Sequence, residues 1–177
     1  RYLVMEHHGA NYLDRASTER FSVAEVLRIG VLLAGAVETA HQSDVLHGDI
    51  KPANVVTSAL GRPALTDFGV SSLLRGEPGG EVGDERAATR GLSIPWAAPE
   101  VIAGETPGVR ADVYSLAATL SHLLTGRPPY SVPGHPNRAE DHLMRIGRLP
   151  LPPLDRSDVP IELERCLATA MSADPPD

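Results

Sequence analysis

A single cysteine, Cys166, stands in a chain of 177 residues. One thiol excludes an internal disulfide and any zinc site built on several thiolates. Cys166 falls in a helical pattern, which predicts a core or half-buried side chain. No apolar run reaches the roughly 20 residues that a bilayer span needs, and no signal peptide opens the sequence. These absences predict a soluble, cytoplasmic piece with no membrane segment, whose parent chain could still be anchored through a segment elsewhere. Basic charge is also scarce. Against 16 Lys and Arg stand 23 Asp and Glu, a net charge of −7, whereas a nucleic-acid partner calls for a basic face. There is no internal repeat, and the length suits one domain or one large lobe with a real core.

What is present is concentrated in His47-Gly48-Asp49-Ile50-Lys51-Pro52-Ala53-Asn54, followed by Asp67-Phe68-Gly69. Asp49 offers an oxygen that can take a proton from an attacking hydroxyl. Lys51, two residues on in an extended loop, carries a cation on the same side of the backbone. Asn54 and Asp67 are hard oxygen ligands of the kind Mg²⁺ uses when phosphates also hold it. Together they are the parts of a phosphoryl-transfer site. Either motif alone is weak; both in this order are not.

Periodicity places these residues on structure. Arg1–Glu6 reads as a strand. Ser22-Val23-Ala24-Glu25 has capping-box form. Beyond it Val23, Val26, Leu27, Leu33, Ala34, Val37 and His41 recur at helical spacing, which predicts an amphipathic helix to about residue 42. Val45-Leu46-His47 reads as a short strand entering the polar loop. Asn54–Thr57 and Pro63–Thr66 read as a hairpin around Gly61-Arg62, with Asn54 at its entrance and Asp67 at its exit. The segment Gly76–Glu85, rich in glycine and acid, predicts a mobile loop. Asp112 opens an apolar helix through Leu124, ended by Gly126 and Pro128-Pro129. A shorter helix is expected around Arg138–Gly147, and another from Asp158-Val159-Pro160, with Pro in its first turn, to about Met171. His7 and His8 read as exposed loop residues with no third metal ligand at a suitable spacing.

The motifs resemble the catalytic domain of a eukaryotic-type serine/threonine protein kinase, in the version found in bacteria. The catalytic loop is similar to H-R-D-x-K-P-x-N, with Gly48 in the Arg slot. Ala98-Pro99-Glu100 resembles the end of the activation segment, and Asp112-Val113-Tyr114-Ser115-Leu116 with Leu123–Tyr130 resembles the central buried helix and its exit. The likeness spans the whole chain. It implies an α+β, protein-kinase-like fold: a predominantly helical C-terminal lobe with a small β-hairpin, the N-terminal lobe being almost entirely absent. Residues 1–14 would be the last small-lobe strand and hinge, and 15–177 the C-lobe, truncated at both ends. The aminoglycoside- and choline-type small-molecule kinases share H-G-D-x-x-x-x-N, but Lys51-Pro52, Ala-Pro-Glu and the Leu-Thr-Gly-Arg-Pro-Pro-Tyr exit set this chain apart from them.

The resemblance also implies roles. ATP would donate its γ-phosphoryl group to Ser or Thr hydroxyls of protein substrates in bacterial signalling, with Asp49 as base and Lys51 stabilising charge on the transferred group. Asn54 and Asp67 would hold Mg²⁺, with Mn²⁺ as a substitute. Met5 would be the gatekeeper, the backbone of Glu6 and His8 would bond adenine, and Val56 would lie under its ring. His47 and Phe68 would stack in the hydrophobic spine. Ser93 would bridge Asp49 and Lys51, although Gly91–Trp96 carries one inserted position relative to the common pattern. Thr89 and Ser93 are the hydroxyls placed for regulation. Glu100 would pair with an Arg beyond Asp177, and Asp112 would hold the catalytic-loop backbone from below, the plain alternative being an N-cap. A kinase-domain dimer is a further partner arrangement.

Two departures bear on this reading. The hinge start and the end at Asp177 imply that this piece alone has little or no kinase activity. The competing class is a pseudokinase or scaffold lobe that binds partner proteins, against which the intact Asp49, Lys51, Asn54 and Asp67 argue. Gly48 removes the cation that pairs with a phosphorylated activation loop in relatives, and with it one electrostatic reason for phosphate-dependent ordering. A Thr89→Ala variant of the full-length protein, with Ser93 intact, should therefore keep most of its phosphotransfer activity; complete loss in a radiolabel transfer assay would refute the inference from Gly48.

Overall fold

The computed structural model describes residues 10–68, 93–146 and 148–172. The strand expected at Arg1–Glu6, the residues Met5, Glu6, His7, His8 and Thr89, and the segment Gly76–Glu85 lie outside the described residues. Helices dominate, and the described strands form one two-stranded antiparallel sheet, as the α+β expectation required.

The chain enters helix α1 (Tyr12–Thr18), which the sequence reading did not anticipate. Asn11 caps it by accepting from the Asp14 amide at 2.9 Å and bridges back to Val56. Tyr12 stacks on Phe21 at 5.7 Å, and the Arg15 guanidinium lies over both rings. Helix α2 (Val23–His41) starts at Ser22, whose hydroxyl accepts from the Glu25 amide at 3.2 Å. The carboxylate of Glu25 turns instead to Arg15, at 3.2 Å. The buried stripe of α2 is Val26, Ile29, Leu33 and Val37. Leu27 and Ala34, expected in that stripe, are exposed; the spacing 26-29-33-37 centres the core face on one edge of the apolar arc and leaves both outside it.

Residues 45–47 make no strand, contrary to expectation. Their loop is instead tied down by a side chain of a later helix, and Val45 remains exposed. After a 3₁₀ turn at Pro52–Asn54, strands β1 (Val55–Thr57) and β2 (Pro63–Leu65) pair with Val56 opposite Ala64. A second 3₁₀ turn, Ile94–Trp96, leads to the short helix α3 (Pro99–Ile102). Helix α4 (Val109–Thr125) begins three residues before Asp112, with Gly108 at its N-cap. Asp112 is therefore a first-turn residue and not the cap. Gly126, with φ 73°, closes the helix in the left-handed conformation, which glycine adopts without a Cβ penalty. Helix α5 (Ala139–Arg145) follows where expected, whereas α6 (Ile161–Ala170) begins three residues after the expected Asp158, with Pro160 at the N-cap and not in the first turn.

Helix α4 is the centre. It is buried on nearly all sides, from Ala111 to Leu124, as its mixture of small and apolar residues allows. Helix α2 crosses it so closely at Gly30 that an added Cβ would lie 3.0 Å from the Leu120 side chain. Arg156 locks the far end: its Nη1 donates to the carbonyls of Phe21 at 3.0 Å and Leu124 at 2.8 Å, and Asp158 pairs with the same guanidinium. Cys166, expected to be buried or half-buried, is exposed on α6, because Leu167 is the position that turns inward. No helix among the described residues is long and apolar enough to cross a membrane.

Within α4, His122 stacks on Trp96 at 5.6 Å with ring planes 7° apart. Burial pushes the His122 pKa down to about 4 from 6.5, so the ring is neutral in the fold. Between those values the unfolded chain binds a proton that the folded chain refuses. Stability is thus full above pH 6.5 and is lost as pH falls toward 4, by about 3 kcal/mol at the bottom of the window. Denaturant midpoints taken across this range should show the loss, and His122→Phe, which keeps the stack and cannot be protonated, should remove the His122 share of the slope and leave that of buried His47 and His142.

Candidate active site

The geometry begins with a buried carboxylate. Asp112 is 1% exposed. Its Oδ2 accepts from the His47 amide at 2.8 Å, its Oδ1 from the Gly48 amide at 2.8 Å, and His41 Nε2 sits 2.9 Å from Oδ2. Burying a carboxylate is costly unless its lone pairs are met, and here the backbone of the loop meets them. Helix α4 thereby pins residues 47–48, and His41 of α2 braces the carboxylate that holds them. Gly48 takes φ 76° at the pinned point, a left-handed conformation that costs Cβ-bearing residues about 1–2 kcal/mol.

From that anchor the loop carries its side chains outward. The His47 ring is 1% exposed and lies 4.4 Å from the Phe68 ring, tilted by 44°. Burial lowers its pKa, against the opposing pull of Asp112 and Asp49, and the ring accepts weakly from the Asp49 amide at 3.3 Å. Lys51 Nζ donates to Asp49 Oδ2 and to Ser93 Oγ, at 2.7 Å each. Its ammonium therefore joins the loop to Ser93, just ahead of the 3₁₀ turn Ile94–Trp96. Asn54 uses both protons of its amide nitrogen, giving one to the Asp49 carbonyl at 2.8 Å and one to Asp49 Oδ2 at 3.1 Å. That fixes the amide orientation and leaves Oδ1 as a free acceptor among the described residues. The Thr66 amide donates to the Asn54 carbonyl at 2.9 Å, so the hairpin delivers Asp67 beside Asn54. Asp67 is exposed, with φ 64°, a rare conformation that Asp tolerates better than most and that collects at functional sites.

The donor chemistry fits a phosphate-held divalent ion. Asn54 Oδ1 and the Asp67 carboxylate are hard oxygens, too few for a cage made of protein alone, and no cluster of three or more His, Cys, Asp or Glu suited to a metal occurs among the described residues. Such a pair matches an ion that keeps waters and nucleotide oxygens as its remaining ligands.

Of the residues singled out from sequence, the structure brings together His47, Asp49, Lys51, Asn54, Phe68, Ser93 and Asp112, with Asp67 at the hairpin exit. Val56 is buried on β1. Glu100 stands apart on α3, where its charge helps raise the pKa of buried Tyr114, behind the larger effects of burial and Tyr130; it forms no ion pair among the described residues. Met5, Glu6, His8 and Thr89 lie outside the described residues. Sequence reasoning missed His41 as a partner of Asp112. The available signal was a polar side chain in an otherwise apolar helical stripe.

Comparison with known proteins agrees with this geometry. The family model described as the protein kinase domain matches residues 1–165. The chain is 35% identical over 180 residues to the serine/threonine-protein kinase PknK of Mycobacterium bovis, covering 99% of this chain and 15% of that protein. It is 35% identical over 175 residues to PknJ of Mycobacterium tuberculosis, covering 94% of this chain and 28% of the relative. A crystal structure of the Mycobacterium tuberculosis PknI kinase domain, a cysteine-to-alanine mutant, superposes with a TM-score of 0.65 and 32% identity, over 95% of this chain and 55% of that one. The chain thus spans less than a third of the length of these two curated relatives.

Gly48 supplies a test of the pinned loop. Gly48→Ala should destabilise the fold by about 1 kcal/mol, and Gly48→Asn by less, because Asn enters the left-handed region more easily. Equal denaturant midpoints for wild type and Gly48→Ala would contradict the conformation.

Proposed function

Because the chain belongs to the protein kinase domain family, and resembles its bacterial serine/threonine members, we propose that in its full-length context it transfers the γ-phosphoryl group of ATP to Ser or Thr hydroxyls of protein substrates. The observation that carries this reading is the ammonium of Lys51, held at 2.7 Å from both the Asp49 carboxylate and the Ser93 hydroxyl. A base and a cation are fixed side by side, with their geometry set before any substrate arrives.

In the proposed reaction the acceptor oxygen forms a bond to the γ-phosphorus while the bond to the bridging oxygen of ADP breaks. Asp49 orients the hydroxyl and takes up its proton. Lys51 stands beside the same carboxylate and offsets charge spread over the phosphoryl oxygens. Asn54 has a second duty, since its amide nitrogen braces Asp49 while its oxygen remains open. Asn54 and Asp67 would hold the divalent ion, Mg²⁺ with Mn²⁺ as a substitute, which when bound neutralises charge on the phosphates. Most of the acceleration in such a site comes from positioning and fixed charge. A supply of ATP places the lobe on the cytoplasmic side of any membrane.

Asp49→Asn tests the assignment. It keeps the size of the side chain and removes the proton acceptor, so phosphotransfer to a protein substrate should fall roughly 10²–10⁴-fold, while ATP binding measured by calorimetry is retained. Undiminished transfer by that variant would rule Asp49 out as the base, whereas no transfer by the unmutated full-length protein would favour a lobe that acts by binding partners.

A further inference from the structure

Helix α2 turns one face to the core and leaves the opposite face exposed among the described residues. Its composition gives that outer face little reason to stay in water. The nine residues from Ile29 to Val37 carry no polar side chain, and a helix that is apolar on all sides is normally buried on all sides. Here only Ile29, Leu33 and Val37 of that run are buried. Val31 is 73% exposed, and Leu27 and Leu32 are exposed on either side of it. Gly35 has open space where a Cβ would stand.

The order of residues along the outer face identifies an occupant. Ala24, Arg28, Val31, Gly35, Glu38 and Gln42 are all exposed. They recur at steps of four and three, the spacing of a coiled-coil seam. The pattern is symmetric about the level of Leu33. A second α2 laid antiparallel about that level sets Val31 against Gly35 and Arg28 against Glu38, and does so twice. The bulkiest side chain at the middle of the seam then meets the glycine that leaves room for it, where two backbones can approach closely. Arg28 makes no ion pair among the described residues. Glu25, one turn before it, is engaged by Arg15 at 3.2 Å. Glu38 accepts from Gln42 Nε2 at 3.0 Å, and a carboxylate can accept further bonds. A parallel arrangement would instead oppose Arg28 to Arg28 and Glu38 to Glu38. A patch complementary to itself under a two-fold axis makes an isologous contact.

We propose that the outer face of α2 is an interface between two copies of this chain, paired antiparallel about a two-fold axis at the level of Leu33. Burial of Val31, with Leu27 and Leu32 flanking it, supplies the attraction. The two Arg28–Glu38 pairs set direction and register more than they add affinity. One helix face is small for a protein interface, so the dimer is a weak one, with a dissociation constant on the order of 10 μM. The contact lies opposite the side of α2 that packs on α4, so pairing leaves the anchoring of Asp112 undisturbed.

Sedimentation velocity of the full-length protein, from about 1 to about 100 μM, should show reversible dimerisation. Val31→Lys, which sets a long cation against the glycine of the second copy, should weaken it at least roughly tenfold. Arg28→Glu and Glu38→Arg each bring like charges together, and each should weaken self-association roughly tenfold. Mixed with one another, the two charge variants present opposite charges at both contacts and should pair about as tightly as the wild type. A misfolded variant cannot produce that rescue. A wild type that stays monomeric throughout, self-association unchanged in Val31→Lys, or charge variants that fail to pair when mixed would each overturn the proposal. The measurement involves no nucleotide and no transfer, so its outcome is separate from that of Asp49→Asn.

Discussion

The Asp112 carboxylate is the constraint on which the rest of the site depends. It is a charged group at the centre of the lobe, 1% exposed, and it is tolerable there only because three donors converge on it. Two of those donors are the backbone amides of His47 and Gly48, and the third is a ring from the last turn of α2. The loop therefore cannot shift along the chain without leaving a buried charge unmatched. This is also why the loop need not be a strand: its hydrogen bonds are supplied by a side chain instead of a neighbouring backbone. The close crossing of α2 and α4 at Gly30 brings His41 within reach, so packing and polar anchoring depend on one another.

Outward from that anchor each group is fixed by another. Lys51 is held between Asp49 and Ser93, Asn54 braces Asp49 from behind, and Thr66 carries the hairpin back to Asn54. A site wired in this way spends little on reorganisation when charge develops. It also divides the work. Under the proposed function, the side of Asp49 facing Lys51 and Ser93 would serve the acceptor, and the side facing Asn54 and Asp67 the nucleotide.

Much of this was legible in the sequence because it is local. The hairpin follows from its turn and from Val55, Val56, Ala64 and Leu65; the ends of α2 and α4 follow from Ser22 and Gly126; the catalytic loop reads directly. What escaped was set by tertiary contact. Helix α1 is too short to register by period, and it is held by the Tyr12–Phe21 stack and Arg15. Leu27 and Ala34 fit a helical stripe as well as Ile29 does, and only the direction from which α4 packs decides among them. Cys166 is exposed for the same reason. The bond from His41 to Asp112 joins residues far apart in sequence, and no spacing rule reports it. The left-handed backbone of Tyr130 has no local signature, since a bulky aromatic disfavours it.

Gly48 changes how such a site is controlled. At φ 76° a residue with a side chain would hold the loop under about 1–2 kcal/mol of strain, and a long cation there would give a phosphorylated segment something to grip. A strained element with an external handle is one whose two states a modification can bias. Glycine removes the strain and the handle together, while the Asp112 bonds to the loop remain. Under the proposed function, the loop would then be held in its working shape by the lobe itself.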